Sequence, residues 1–301
     1  STVSGGGGAT VRSGVVDTLV NAFTPDREQV WDDAIAGQGV PIKVRRDPSD
    51  SFCDPATMVG RMDELGIATL LVPTSDLHRH GTPFEYDPVA ARPDEMAAIV
   101  QAHPGRFAAW WAINPQLGMA GVRRAREMLQ EPWVVGLWIH THSFDRRFDH
   151  ADYYPYYALA AEHSVPVMMQ AGTSGGLMPS ECGVPIGIDR PAIYFSDVPF
   201  VLSHLGWPWT AEAIAMALKF PNVYLGTAAY PPKHWDPAVH AFLRGPGKHK
   251  VLFATNFPTV GHRHALAQVA ALDLADDVRD NLLGGTARRV ITRLHGGGSE
   301  P

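Results

Sequence analysis

The fold is decided by the stretch Leu202-Ser203-His204-Leu205-Gly206-Trp207-Pro208-Trp209, which continues the apolar residues Phe200 and Val201. Its apolar start predicts a buried strand that ends at His204. Gly206 then turns the chain, and Thr210-Ala211-Glu212 opens a helix. A titratable imidazole therefore lies where a parallel strand passes into a helix, which is where α/β barrels carry their chemistry.

Short apolar runs of this kind alternate with helical stretches along the whole chain. Eight strands are predicted near residues 15, 68, 109, 136, 167, 201, 224 and 252. Strands that alternate with helices favour parallel pairing. We therefore predict the α/β class and a single (β/α)8 TIM barrel over residues 14–294, with an insertion over the barrel mouth after strand 1, at residues 23–54. Residues 1–13 and 295–301 are expected to be flexible tails.

The composition excludes several classes of protein. The chain has 301 residues, of which 45% are hydrophobic, so a sizeable core can form. Its formal net charge of -6 provides no basic excess for nucleic acid. No apolar run is long enough for a transmembrane helix, so no membrane partner is expected. The two cysteines, Cys53 and Cys182, form no CxxC pair, which indicates a reduced, cytoplasmic protein.

Several stretches together resemble the amidohydrolase superfamily, in the branch that holds aminocarboxymuconate-semialdehyde decarboxylase. The resemblance extends from about Gly14 to Ile291 and implies a hydrolase or decarboxylase built on a TIM barrel. The matching stretches are Met62-Asp63-Glu64-Leu65-Gly66-Ile67, Ser203-His204-Leu205-Gly206, Phe220-Pro221-Asn222-Val223-Tyr224, Val251-Leu252-Phe253-Ala254-Thr255-Asn256-Phe257-Pro258 and Leu283-Gly284-Gly285-Thr286-Ala287-Arg288-Arg289.

The metal ligands that this resemblance implies are mostly missing. Leu19 and Asn21 stand where the family has a His-x-His pair after strand 1, and Gln170 stands for the histidine of strand 5. Asn256 replaces the strand 8 aspartate, which binds metal and acts as a base in the family. A hydrolytic zinc site needs about three protein ligands. We therefore predict that the chain uses no metal cofactor, and that Asn21, Gln170 and Asn256 bind substrate as neutral amides.

His204 and Asp17 are what remains of the family's set, and both are predicted to be catalytic. His204 is expected to act as a general acid or base, or as a donor to a carbonyl or carboxylate. Asp17 is expected to orient His204 or to bind a substrate hydroxyl, with the capping of a turn as the competing interpretation.

Three histidine pairs follow predicted strands, and they leave one alternative open. They are His78-x-His80, His140-x-His142 and His262-x-His264. Pairs at strand ends could rebuild a zinc or manganese site at a new position, although no third carboxylate ligand accompanies them. His140 directly follows its strand and is predicted to contact substrate.

Aromatic side chains complete the predicted site. Trp138, Trp207 and Tyr230 are expected to line a pocket for a ring-bearing ligand. The cluster Tyr153-Tyr154-Pro155-Tyr156-Tyr157 is interpreted as a helix start and a subunit contact, in line with an expected homodimer.

The sequence thus predicts a metal-independent enzyme that acts on a small carbonyl- or carboxylate-bearing organic molecule. Hydrolysis, decarboxylation and a proton-transfer cyclisation or elimination all remain open. The competing hypothesis is a non-catalytic protein that binds a small molecule or a partner barrel.

Overall fold

A computed structural model describes residues 14–38, 47–76 and 90–295. Eight parallel strands lie side by side in chain order, so each strand pairs with the next one in the sequence. The strands are β1 (Val15–Asp17), β2 (Ile67–Thr74), β3 (Phe107–Ala112), β4 (Val134–Ile139), β5 (Val167–Gln170), β6 (Phe200–Ser203), β7 (Val223–Gly226) and β8 (Val251–Leu252).

The sheet closes on itself between β8 and β1. The Thr18 amide donates to the Phe253 carbonyl at 3.0 Å, and the Asn256 amide donates to the Leu19 carbonyl at 2.9 Å. Val20 and Phe257 then form a parallel bridge just beyond the strand ends. The predicted TIM barrel and its eight strands are confirmed.

Helices follow the strands and cover the outside of the barrel. They are α1 (Arg27–Gln38), α2 (Pro55–Leu65), α3 (Pro93–Ala102), α4 (Gly118–Met128), α5 (Tyr154–His163), α6 (Asp189–Tyr194), α7 (Thr210–Lys219), α8 (Pro237–Arg244), α9 (His262–Ala271), α10 (Asp276–Asp280) and α11 (Thr286–Val290).

Local capping chemistry explains where these helices begin and end. In α2 the Asp54 carboxylate accepts a hydrogen bond from the Thr57 amide, and Gly66 ends the helix in a left-handed conformation at φ 73°. α7 differs, because its N-cap residue Trp209 makes no side-chain cap. The amino end of α7 therefore lacks the side-chain acceptor that usually satisfies the first amides.

The strands separate two apolar layers by alternation. Trp110 and Trp138 belong to the inner cluster that fills the barrel, together with Leu19 and Met168. Their neighbours Trp111, Leu137 and Met169 pack outward under the helices. Because apolar side chains fill the interior of the barrel, we expect the functional polar groups to lie at the strand ends.

The region after β1 begins with α1, which sequence patterns did not single out. Its Trp31 is buried and joins the inner cluster, so this part of the insertion packs onto the barrel interior. Residues 39–46, the predicted tail 1–13 and all of the predicted tail 295–301 except its first residue lie outside the described residues.

The tyrosine cluster marks a helix start, as predicted, because α5 begins at Tyr154. Tyr153, Tyr156 and Tyr157 are buried in the chain's own core, because α5 presents them to the barrel. Tyr154 stacks on Tyr194 of the same chain at 6.2 Å between ring centroids. Three of these rings are therefore buried within the chain itself, and the predicted subunit contact stays a prediction. Among the described helices, none has the length and apolar character needed to cross a membrane.

Candidate active site at the carboxyl ends of the strands

The polar residues singled out in the sequence gather at the carboxyl end of the barrel. Gln170 ends β5 and lies in register with Ser203, which ends β6 and precedes His204. Asn21, His140 and Asn256 follow β1, β4 and β8 in the same way. The parallel topology therefore brings these side chains to one face of the sheet.

His204 occupies a strained turn at the end of β6. Its φ is +62°, and Leu205 and Gly206 follow at +54° and +64°. Its Nδ1 is hydrogen-bonded to the Ser203 hydroxyl. Burial, with a smaller contribution from His142, lowers the pKa of His204 to about 3. The imidazole is therefore neutral at physiological pH, and strain of this kind is common at functional sites.

His142, the second member of the histidine pair after β4, is a neighbour of His204. Its Nε2 bonds to the Gly172 carbonyl at 2.8 Å, which makes Nε2 the protonated nitrogen and leaves Nδ1 as an acceptor. That Nδ1 is buried without a partner among the described residues, and burial lowers the pKa of His142. His140 instead contacts the Ser143 hydroxyl, so the two rings of this pair do not act together.

The loops that follow β5 and β6 are hydrogen-bonded to each other next to the turn that carries His204. The Thr173 amide donates to the Trp207 carbonyl across the two loops, and the Gly172 amide donates to the Gly183 carbonyl within the β5 loop, both at 2.7 Å. Gly172 has φ +84°, and a Cβ placed on it would lie 2.1 Å from the Trp207 carbonyl oxygen. Only glycine fits there, and the fit holds the turn that carries His204.

Asp17 is bonded to groups other than His204. Its carboxylate accepts from the Thr255 amide at 3.0 Å and the Thr255 hydroxyl at 2.6 Å. It also accepts from the Leu19 amide at 3.3 Å and from His262 Nε2 at 2.8 Å. The expectation that Asp17 orients His204 is therefore corrected, because the imidazole that is hydrogen-bonded to Asp17 belongs to His262. Asp17 is wholly buried, and these donors occupy both of its oxygens.

His262, the first member of the third histidine pair, lies on a helix rather than at a strand end. It begins α9, is buried, and stacks on Phe257 at 5.0 Å with an interplanar angle of 7°. His264 bonds to Gln268 instead. Two positions apart on a helix, the side chains point in nearly opposite directions, so they cannot chelate one ion. The signal that was missed is the helical pattern of residues 262–271.

Asn21 and Asn256 form a linked pair of amides. Asn21 Nδ2 donates to Asn256 Oδ1 and to the Phe257 carbonyl, both at 3.0 Å. Asn256 Nδ2 donates to the Thr259 hydroxyl at 3.3 Å. This network leaves the Asn21 carbonyl oxygen as an acceptor without a hydrogen bond from the described residues.

Two further groups at this face have hydrogen-bonding capacity to spare. Trp138 Nε1 is buried without a partner among the described residues. The Gln170 side chain is nearly buried, at 6% exposure, and makes no side-chain hydrogen bond to any residue that the structure describes. Buried polar groups normally find partners, so these donors are suited to a bound molecule.

The residues at this face do not fit the divalent metal site that the family resemblance implies. A hydrocarbon and three amides stand at the four substituted positions, and Asp17 is already bonded to Thr255 and His262. Within residues 14–38, 47–76 and 90–295, no group of three His, Cys, Asp or Glu side chains could hold a metal ion. His78 and His80 lie outside the described residues, so the relocated metal site remains a prediction.

Trp207 and Tyr230 lie apart from the other predicted substrate contacts. They line a cavity of about 230 Å³ between the loops that follow β6 and β7. None of Asn21, Gln170, His204 and Asn256 lines it. Trp235, which also lines the cavity, belongs to the outer cluster under the helices rather than to the barrel interior.

Comparison with solved structures gives the same fold. An uncharacterised TIM-barrel protein from Bordetella bronchiseptica shares 18% identity at a TM-score of 0.71, over 93% of this chain and 99% of that one. A 2,6-dihydroxybenzoate decarboxylase from Rhizobium shares 16% identity at a TM-score of 0.64, over 93% and 98%. A 5-carboxyvanillate decarboxylase from Novosphingobium aromaticivorans, complexed with manganese and 4-hydroxy-3-methoxy-5-nitrobenzoic acid, shares 14% identity at 0.66, over 95% and 97%.

These identities are low enough that the likeness establishes the fold alone. No curated protein matches the chain. A family model described as Amidohydrolase, however, matches residues 55–293, which is most of the sequence. The match covers the barrel from α2 to the last helices, including the turn that carries His204. The chain therefore belongs to the amidohydrolase family.

Proposed function

We propose that this chain is an enzyme that acts on a small carbonyl- or carboxylate-bearing organic molecule, with His204 as its acid–base group and without a divalent metal. Family membership supports an enzyme. The names of the structural neighbours, decarboxylases of hydroxylated aromatic acids and a 4-oxalomesaconate hydratase, support a small carboxylate as substrate.

The observation that carries this proposal is the neutral imidazole of His204 among neutral amides. Its pKa of about 3 reflects burial without an opposite charge. A bound substrate carboxylate would supply that charge and raise the pKa of His204, because an opposite charge nearby favours the protonated form. Substrate binding would thus favour protonation of His204, and the imidazolium would supply the proton that the reaction needs.

The other residues at this face are proposed to bind and orient the substrate. The Gln170 amide and the Trp138 indole N–H are the donors for a carboxylate or carbonyl oxygen. The Asn21 oxygen accepts from a substrate hydroxyl, and Asn256 holds Asn21 in place. His140, which is partly buried beside Ser143, is proposed to contact the substrate from the end of β4. Asp17 acts indirectly, because it fixes Thr255 next to Asn256.

Decarboxylation is the reaction class that this arrangement and the neighbours' names favour together. The bond between the ring carbon and the carboxylate breaks, and its electron pair stays on the ring carbon. That carbon takes the proton from the His204 imidazolium, and carbon dioxide leaves. No redox partner is needed, and each step uses this chain's own side chains.

The test is an assay of the full chain with hydroxylated benzoates. Turnover is monitored as the loss of substrate absorbance and the release of carbon dioxide. His204→Asn keeps a residue that tolerates positive φ but removes the proton donor. We expect it to lower kcat by roughly 100-fold or more, the usual contribution of acid–base catalysis.

The matched control is His249→Asn. His249 is exposed just before β8, at the opposite end of the barrel, and its loss should leave turnover unchanged. Equal turnover by the wild-type chain and His204→Asn would remove His204 from the mechanism. Binding of every substrate without turnover would instead favour a non-catalytic ligand-binding protein.

A further inference from the structure

The cavity between the β6 and β7 loops has the composition of a binding site for a small ring. Its lining includes three aromatic side chains and Leu205. The rings of Trp207 and Tyr230 lie 5.9 Å apart at 55° and form an open corner. Trp207 is 49% exposed, which is unusual for the largest apolar side chain and leaves one of its surfaces available to a ligand.

A buried hydroxyl without a partner points to a ligand in this cavity. Thr210 lines it and is only 2% exposed. Its Oγ1 is buried and makes no hydrogen bond within the described part of the chain. Leaving such a group unsatisfied costs free energy, so a hydrogen bond from a bound molecule would remove a penalty that the empty site carries.

The charge around the cavity selects against anions. Among its described lining residues there is no lysine or arginine, while Asp236 contributes a carboxylate and His234 an exposed imidazole. That carboxylate is exposed and already accepts from the Ala238 amide at 2.8 Å, so it is poorly placed to pair with a buried cation. Burial also raises the pKa of Tyr230 to about 12, which keeps this wall uncharged.

We propose that this cavity is a second binding site, separate from the strand-end site, which takes an uncharged aromatic molecule with one hydroxyl group, about the size of phenol. The ring packs between Trp207 and Tyr230, and its hydroxyl pairs with Thr210. The volume fits, because an apolar cavity of about 150 Å³ already holds benzene, and this one measures about 230 Å³.

Calorimetric titration of the full chain with phenol tests the proposal, with toluene, benzoate and benzylammonium as companions. Thr210→Val keeps the shape of the side chain and removes the hydroxyl. It should weaken phenol binding by roughly five-fold, the usual value of one hydrogen bond, and leave toluene binding unchanged. Trp207→Ala should weaken both ligands by roughly ten-fold or more.

Control variants separate this site from the strand-end site. Tyr194→Ala removes another exposed ring, at the end of α6, and should not change phenol binding. His204→Asn should also leave it intact, so the result does not depend on the proposed reaction. Phenol binding that His204→Asn abolishes and Thr210→Val leaves unchanged would overturn the proposal. Tighter binding of benzoate or benzylammonium than of phenol would overturn the proposed ligand class.

Discussion

At the scale of single residues, the buried imidazole of His204 makes stability depend on pH. Its pKa falls from 6.5 to about 3 on folding, so the unfolded chain binds a proton in that interval and the folded chain does not. The contribution of His204 to the free energy of unfolding is therefore fully present above pH 6.5 and is lost progressively as the pH drops toward 3. From neutral pH to about pH 5 the loss from this group is roughly 2 kcal/mol.

Urea unfolding of the wild-type chain and of His204→Asn at neutral pH and at about pH 5 measures this contribution. The variant lacks the titrating group. Between neutral pH and about pH 5, its free energy of unfolding should therefore fall by roughly 2 kcal/mol less than that of the wild-type chain. His142 is retained in both chains, and burial, the main cause of its lowered pKa, is common to both. Parallel losses in the two chains would contradict a buried neutral His204.

A second residue-scale prediction concerns the buried pair of Asp17 and His262. Asp17→Asn removes the charge and leaves His262 and the Thr255 hydroxyl facing an amide that accepts at one oxygen only. Breaking a buried pair in this way costs roughly 3 kcal/mol of unfolding free energy. The comparison is Asp149→Asn, which breaks the pair of Arg147 and Asp149 at 3.3 Å near the surface and should cost less than about 1 kcal/mol.

A chemical denaturation series on Asp17→Asn, His262→Asn and the double variant Asp17→Asn/His262→Asn measures the coupling, with Asp149→Asn as the surface comparison. The double variant should cost less than the sum of its single changes, because the second change removes a group that is already unpaired. Additive losses would show that Asp17 and His262 do not stabilise one another.

At the scale of elements, the contact between the β5 and β6 loops depends on a single glycine. Gly172→Ala would place a methyl group 2.1 Å from the Trp207 carbonyl oxygen, at a φ of +84°. Strain and overpacking together should cost roughly 3 kcal/mol, and turnover should fall because the His204 turn moves.

Gly60→Ala is the matched control for this substitution. Gly60 lies in α2 with no neighbouring atom within 4 Å of an added Cβ. The change should stabilise the chain by up to about 1 kcal/mol, because alanine loses less entropy in a helix. Thermal unfolding of both variants measures the contrast, and equal midpoints would mean that the two loops are not held together at Gly172.

How much of this could be read from the sequence differed from element to element. The strands were predictable, because buried parallel strands are short apolar runs such as residues 200–202. α8 and α9 were missed although the sequence carries their signals, because Asp236 caps α8 ahead of Pro237 and residues 262–271 have a helical pattern. The partner of Asp17 was out of reach, because His262 is 245 positions away and only closure of the barrel brings it to β1.

At the scale of the whole molecule, closure of the barrel brings Asp17 and Asn21 together with Asn256 and His262. Hydrogen bonds from Thr18 and Asn256 join the first strand to the last, and Asp17, Thr255 and His262 continue that seam with side chains. The carboxylate that remains from the family's site thus holds the barrel together. This physical role, rather than catalysis alone, is a sufficient reason for an acidic residue at that strand end.

The same occupation of Asp17 predicts how the whole chain responds to divalent metal. A site filled by manganese at 100 times its Kd would stabilise the folded chain by about 2.7 kcal/mol. We expect no such change, because amides and a leucine replace the ligands and Asp17 is bonded to Thr255 and His262. The thermal midpoint and the turnover of the purified chain should be the same in EDTA as in millimolar manganese or zinc.

The variant His78→Ala/His80→Ala separates the two remaining explanations of a positive result. A rise of several degrees in the midpoint with manganese, lost in that variant, would support a relocated metal site built on this pair. A rise that the variant retains but Asp17→Asn loses would mean that manganese competes with His262 for the buried carboxylate. Either rise would contradict a metal-independent enzyme, whereas a flat midpoint with turnover retained in EDTA would leave His204 as the group that supplies the proton.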